Sequence, residues 1–139
     1  MIILDTNLVS EALKPAPSEL VLRWLSNQEQ PAMFTTTITV AEVLYGIQAL
    51  PFGKRRERLI SGLERLIANE FEDRVLAFDQ DAARVFPNIV VGRQRIGRPI
   101  ALLDAMIASI ARSHGSPVAT RNTRDFEHCG VHVVNPWAE

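Results

Sequence analysis

The sequence predicts an α/β protein in which a parallel sheet is covered by helices on both faces. Short strand-like apolar runs alternate with longer stretches of helical periodicity, and Pro and Gly fall at the boundaries between them. A chain of 139 residues also suits one domain spanning 1–139, large enough to bury roughly two thirds of its unfolded surface without disulfides.

The elements follow in order. Ile2 to Asp5 reads as a strand, and Leu8 to Leu13 as a helix stopped by Pro15 and Pro17. Ser18 to Asn27 is helical because Leu20, Val21, Trp24 and Leu25 recur at helical spacing. Met33 to Thr37 is a strand, followed by a helix from Thr39 to Leu50. Pro51-Phe52-Gly53 separates that helix from the next, Lys54 to Asn69. A strand over Val75 to Phe78 leads to a helix over Gln80 to Arg95. The helix Ala101 to His114 then ends at Gly115, as a helix-terminating glycine should. Pro117 to Thr120 and Val131 to Val134 complete a set of five strands.

Composition excludes several classes. The single cysteine, Cys129, cannot pair within the chain, which suits a reducing, cytoplasmic setting. No apolar run reaches the roughly 18 residues of a membrane span, and no basic stretch precedes the first apolar residues as in a signal peptide. The expectation is a soluble, unexported protein. A formal charge of −1 excludes a uniformly basic surface that coats nucleic acid, although local basic stretches remain available for phosphates.

Three acids stand where acids are least expected. Asp5 ends the apolar run Ile2-Ile3-Leu4, at the carboxyl end of a strand, where open α/β sheets place their ligands. Glu42 is the only charge among Val40, Ala41, Val43, Leu44 and Ile47. Asp104 is the only charge between Ile100 and Ala111. An ionised carboxylate in such surroundings persists only when protonated, paired, hydrogen-bonded or bound to a cation. Each acid also has a purely structural reading. Thr39 and Glu42 fit a capping box, Asp104 suits the first turn of a helix, and Asp5 can cap the helix after it. If the three converge, they repel one another unless a cation lies among them, and oxygen ligands without His or Cys select Mg²⁺ or Mn²⁺ over Zn²⁺.

A second polar cluster, Thr120-Arg121-Asn122-Thr123-Arg124-Asp125-Phe126, follows the fourth strand. Together with Leu4-Asp5-Thr6-Asn7, Glu42 and Asp104-Ala105-Met106-Ile107-Ala108, it makes the whole chain resemble a PIN domain. More narrowly, the chain resembles the VapC toxins and their FitB-like branch, whose closing Asn-Pro-Trp is matched by Asn135-Pro136-Trp137. The resemblance implies a three-layer α/β/α sandwich on a five-stranded parallel sheet. It also implies the toxin of a type II toxin–antitoxin system, a Mg²⁺- or Mn²⁺-dependent endoribonuclease. Asp5, Glu42 and Asp104 are then its catalytic and metal-binding acids. At the family's fourth acidic position stands Asn122, with Asp125 three residues on as a second candidate. Asn122 and Asp125 also fit the cap of a short helix.

Phosphodiester hydrolysis needs a nucleophile and relief of charge on the phosphate, and a bound Mg²⁺ supplies both. Thr6, Asn7 and Thr120 are placed to orient the carboxylates. Arg93, Arg95 and Arg98, ahead of the Asp104 helix, and Arg121 and Arg124 are the candidate RNA contacts. Lys54-Arg55-Arg56-Glu57-Arg58 reads first as a solvated helix face. The resemblance further implies inhibition by a VapB- or FitA-like antitoxin, contact with DNA only through that antitoxin, and a homodimer within a hetero-oligomer. Val21 to Leu25 and Val43 to Leu50, with Trp24 and Tyr45, are candidates for the antitoxin groove. The competing reading is a non-catalytic PIN-like binding module that partners a DNA-binding repressor. An aspartyl-phosphate phosphatase fits less well, because Asp5-Thr6-Asn7 has no second carboxylate two residues on.

Overall fold

The computed structural model describes residues 1–138. Its strands are β1 (Ile2–Leu4), β2 (Met33–Thr36), β3 (Val75–Leu76), β4 (Val118–Ala119) and β5 (Val133–Val134). The helices are α1 (Thr6–Ala12), α2 (Glu19–Ser26), α3 (Thr37–Gln48), α4 (Lys54–Asn69), α5 (Gln80–Arg95) and α6 (Leu102–Ser113). All strand pairings are parallel, in the order β3-β2-β1-β4-β5. The chain therefore builds outward from β1 on one side and then returns to build outward on the other. The strand order reverses between β1 and β4, so the crevice of this sheet opens at their carboxyl ends.

Strand periodicity divides the core in two. Ile2 and Leu4 pack with Leu8, Val21, Val43, Ile47 and Leu63 under the first four helices, while Ile3 packs with Ile89, Ala108, Ile110 and Val118 under α5 and α6. The expected three-layer α/β/α arrangement follows directly. Ala105, Ala108 and Ala111 are fully buried, and their small side chains fit α6 closely among its neighbours. At its end Gly115 adopts φ +63°, and the Ser116 amide donates to the Ala111 carbonyl at 2.9 Å. That left-handed turn is the glycine-terminated helix end the sequence implied. None of the described helices is long and apolar enough to cross a membrane.

Two helices start earlier than expected. Asp5 caps α1 from the strand tip, so helix begins at Thr6 rather than Leu8. In α3 the cap is Thr36, whose Oγ1 accepts from the Thr39 amide at 3.1 Å. The Thr39–Glu42 capping box is therefore not formed, and Glu42 lies in the second turn. The strands are also shorter than expected. Phe78 leaves the sheet edge to meet Phe86 of α5 edge-on, with ring centroids 5.9 Å apart. Ladder hydrogen bonds nevertheless continue past the strand ends: the Asp5 amide donates to Ala119 O at 3.1 Å, and the Thr120 amide to Val134 O at 2.9 Å.

Replacing Thr36 with Ala leaves the buried Thr39 amide without its acceptor and should destabilise the protein by about 1–2 kcal/mol. Thr36→Ser should retain most of that stability. Urea denaturation monitored by circular dichroism measures both, and an unchanged midpoint for Thr36→Ala would contradict this account of the α3 start.

Candidate active site

The ladder bonds around Asp5 and Thr120 hold two adjacent backbones at the reversal point, and their side chains meet there. Thr120 Oγ1 donates to Asp5 Oδ2 at 2.5 Å and accepts from the Asn122 amide at 3.0 Å. Asp5 Oδ1 accepts from the Leu8 amide at 3.1 Å. Asp5 is thus both the α1 cap and a nearly inaccessible carboxylate, 4% exposed. Its two roles are compatible because different oxygens perform them.

Glu42 reaches the same crevice from α3. Thr6 Oγ1 donates to Glu42 Oε1 at 2.7 Å and lies 3.4 Å from Thr39 Oγ1. Asp104, the third residue of α6, is half-buried and enters from the opposite layer. Burial pushes the Asp5 carboxyl up to about 6, against hydrogen bonds from Thr120 and Leu8 that favour its ionised form, and repulsion from Glu42 adds to the rise. Burial likewise raises Asp104 to about 6, with further repulsion from Asp125, Glu42 and Asp5, in that order. Each of these acids acts electrostatically on Asp104. Among the described residues, however, no three His, Cys, Asp or Glu side chains gather as tightly as direct ligands of a single ion.

The remaining sequence candidates divide. The Asn7 amide faces the Asp5 carboxylate and favours its ionised form, while its side chain is exposed. Asn122 is exposed and precedes the 3₁₀ turn Thr123–Phe126, but its side chain makes no capping bond. Asp125, in that turn, exerts the strongest repulsion on Asp104. Arg95 and Arg124 are exposed. Arg98 Nη2 pairs with Glu127 Oε2 at 3.0 Å, and the Arg121 guanidinium lies 5.5 Å from the Trp137 ring centroid.

Arg93 departs from expectation. It is buried, 5% exposed, and its Nη1 donates to the carbonyls of Asp125 and Glu127. It is not available to RNA. The sequence did carry a signal for this, because Arg93 continues the buried stripe Ala82, Ile89 along α5 at helical spacing. The Thr36 and Thr39 hydroxyls around α3 were also missed, since nothing in a run of threonines says which one faces an acid.

Beside the acids a groove of about 730 Å³ runs between α1, α3 and α4. Val43, Ile47, Leu50 and Leu59 line it, Lys14, Arg55, Arg58 and Arg65 add positive charge, and Glu42 borders it. The expected groove residues are redistributed. Val21 is core, Tyr45 is 72% exposed, Trp24 packs against the core, and Leu25 lines a separate cleft of about 330 Å³.

Residues 2–131 match the PIN domain. The chain belongs to the PIN domain family. It is 40% identical over 137 residues to the VapC ribonuclease Y4jK of Sinorhizobium fredii, covering 99% of this chain and 98% of that protein. It is 39% identical over 137 residues to Toxin FitB of Neisseria gonorrhoeae, covering 99% of each. Its structure superposes with a TM-score of 0.93 on a chain of FitAB bound to an IR36 DNA fragment, at 38% identity, covering 100% of this chain and 97% of that one. In this PIN domain the acids Asp5, Glu42 and Asp104 reach the crevice from β1, α3 and α6.

The raised Asp5 carboxyl makes its ionised form a source of instability. With a folded value of about 6 against 3.8 for a free carboxyl, folding is favoured below about pH 4 relative to neutral pH. That contribution is lost as pH rises from about 4 to about 6, and is on the order of 3 kcal/mol. In metal-free buffer Asp5→Asn should therefore melt several degrees above wild type at pH 7.5, with the difference closing as pH falls to 4. Scanning calorimetry across that range checks the prediction. A variant less stable than wild type at pH 7.5 would contradict it.

Proposed function

We propose that this chain is the toxin of a type II toxin–antitoxin pair, a divalent-metal-dependent endoribonuclease. The convergence of Asp5, Glu42, Asp104 and Asp125 at the sheet reversal carries the reading, together with the similarity to a VapC ribonuclease and Toxin FitB. The donors fit a hard cation. They are carboxylates without His or Cys, and the mutual repulsion of Asp5, Glu42, Asp104 and Asp125 favours positive charge among them, which suits Mg²⁺ or Mn²⁺.

Asp5 and Asp104 would hold the ion directly or through water, with Glu42 completing the site or accepting a proton. A divalent cation bound there supplies an acidified water and charge relief on the phosphate. Thr120 fixes Asp5 through its Oδ2, Thr6 fixes Glu42 through its Oε1, and the Asn7 amide stabilises charge on Asp5. The exposed Arg95 and Arg124, with the partly engaged Arg98 and Arg121, would hold the RNA backbone near the acids. Asp125 supplies the fourth carboxylate, with Asn122 as an exposed neighbour.

The α1–α3–α4 groove would take the antitoxin. Its apolar floor and positive charge fit an amphipathic acidic segment, and an occupant following the groove arrives at Glu42. DNA contact would pass through that partner.

Purified protein should cleave structured RNA with Mg²⁺ or Mn²⁺ and lose activity on chelation. Asp104→Asn and Glu42→Gln should each lower kcat/KM by at least about 100-fold, measured by gel assay. Cleavage that survives chelation or Asp104→Asn would overturn the reading. Gly46 lies on the groove, and a Cβ there meets no atom within 4 Å. Gly46→Trp should accordingly leave cleavage intact and abolish inhibition by the antitoxin. Retained inhibition would move the partner elsewhere.

A further inference from the structure

A buried guanidinium needs acceptors, and the hydrogen bonds that Arg93 makes through Nε and Nη1 all go outside its own helix. Its Nε–H donates to the Arg98 carbonyl at 2.6 Å, while the Arg98 amide donates back to the Arg93 carbonyl at 2.9 Å. That reciprocal pair closes the turn at Gly97, whose φ is +71°. Nη1 donates to the Asp125 and Glu127 carbonyls, each at 3.0 Å, and lies 3.5 Å from Cys129 Sγ. One side chain thereby joins the end of α5, the turn ahead of α6 and the loop after the 3₁₀ turn.

The clamped loop is not relaxed backbone. His128 holds φ +60°, a left-handed conformation that a non-glycine residue keeps when its surroundings impose it. The Arg98–Glu127 ion pair ties the same two segments from the solvent side. A methionine or leucine would fill the buried position without the desolvation cost of a cation. Arg93 instead faces neutral carbonyls with no ion-pair partner among the described residues, and its charge acts on Asp104.

We propose that Arg93 is a positioning residue for the acidic site. Its guanidinium clamps the loop from Asp125 to Cys129 against the turn preceding α6, and so holds the 3₁₀ turn that packs on α6 with Asp125 as a fourth acid, where Asn122 stands in place of one. The inference rests on the metal-dependent nuclease reading and specifies which side chain completes that site.

The test is a double-mutant cycle on Mn²⁺ affinity, read by electron paramagnetic resonance, with RNA cleavage and thermal melting recorded in parallel. Asp125→Asn should weaken Mn²⁺ binding roughly tenfold, as loss of a supporting carboxylate does. Arg93→Lys, which keeps the charge but not the fork, should weaken it by a similar factor. The double variant should be no worse than either single one. Effects that multiply in the double variant, or unchanged Mn²⁺ affinity in Arg93→Lys, overturn the clamp while leaving the nuclease reading intact. A wild-type protein that binds no Mn²⁺ overturns both. Should Arg93→Lys melt below the assay temperature, the Arg93 Nε–H resonance of ¹⁵N-labelled protein provides the same test. Mg²⁺ should shift it in the wild type, with a midpoint roughly tenfold higher in Asp125→Asn; an unmoved wild-type resonance, or an unchanged midpoint in the variant, overturns the proposal.

Discussion

The burial of carboxylates at one end of the sheet, reinforced by their repulsion, is the constraint to which the local structure answers. Asp5 lies at the tip of the central strand, almost wholly out of water, with Glu42, Asp104 and Asp125 close enough to disfavour its charge or one another's. Such a cluster collapses or splays unless each acid is held separately. Here the holding is done mostly by neutral donors: the Thr120 and Thr6 hydroxyls and the Leu8 amide. Neutral donors fix position without cancelling charge, so the acids keep their electrostatic effect on one another.

The fold makes this arrangement possible through one topological fact. Because β1 is central and the chain departs from it in both directions, the ends of β1 and β4 are adjacent while the loops that follow them diverge. The divergence opens the crevice, and the adjacency lets Thr120 reach Asp5. Helices α3 and α6 lie in different layers, yet both present an acid in their early turns toward that opening. Asp104, in the first turn of α6, also gains from the positive end of its helix.

Much of this was legible in the sequence, for identifiable reasons. The limits of α4 and α5 fall where Pro, Gly and helical spacing place them. Asp5, Glu42 and Asp104 stood out because each was isolated among apolar residues, and isolation survives the step from sequence to structure. The start of α3 did not, because Thr35, Thr36, Thr37 and Thr39 offer equivalent hydroxyls and only the end of β2 selects Thr36. Arg93 was misread because its charge suggests solvent and its place ahead of the Asp104 helix suggests a phosphate contact. Its helical register with the buried Ala82 and Ile89 is the observation that outweighs them.

The shared border of the groove and the acids has one further consequence. Glu42 lies on both, and its charge acts on Asp5 and on Asp104. The two spaces are therefore not independent: whatever enters the groove as far as Glu42 also alters the electrostatics of the buried acids beyond it, because one carboxylate is shared between them.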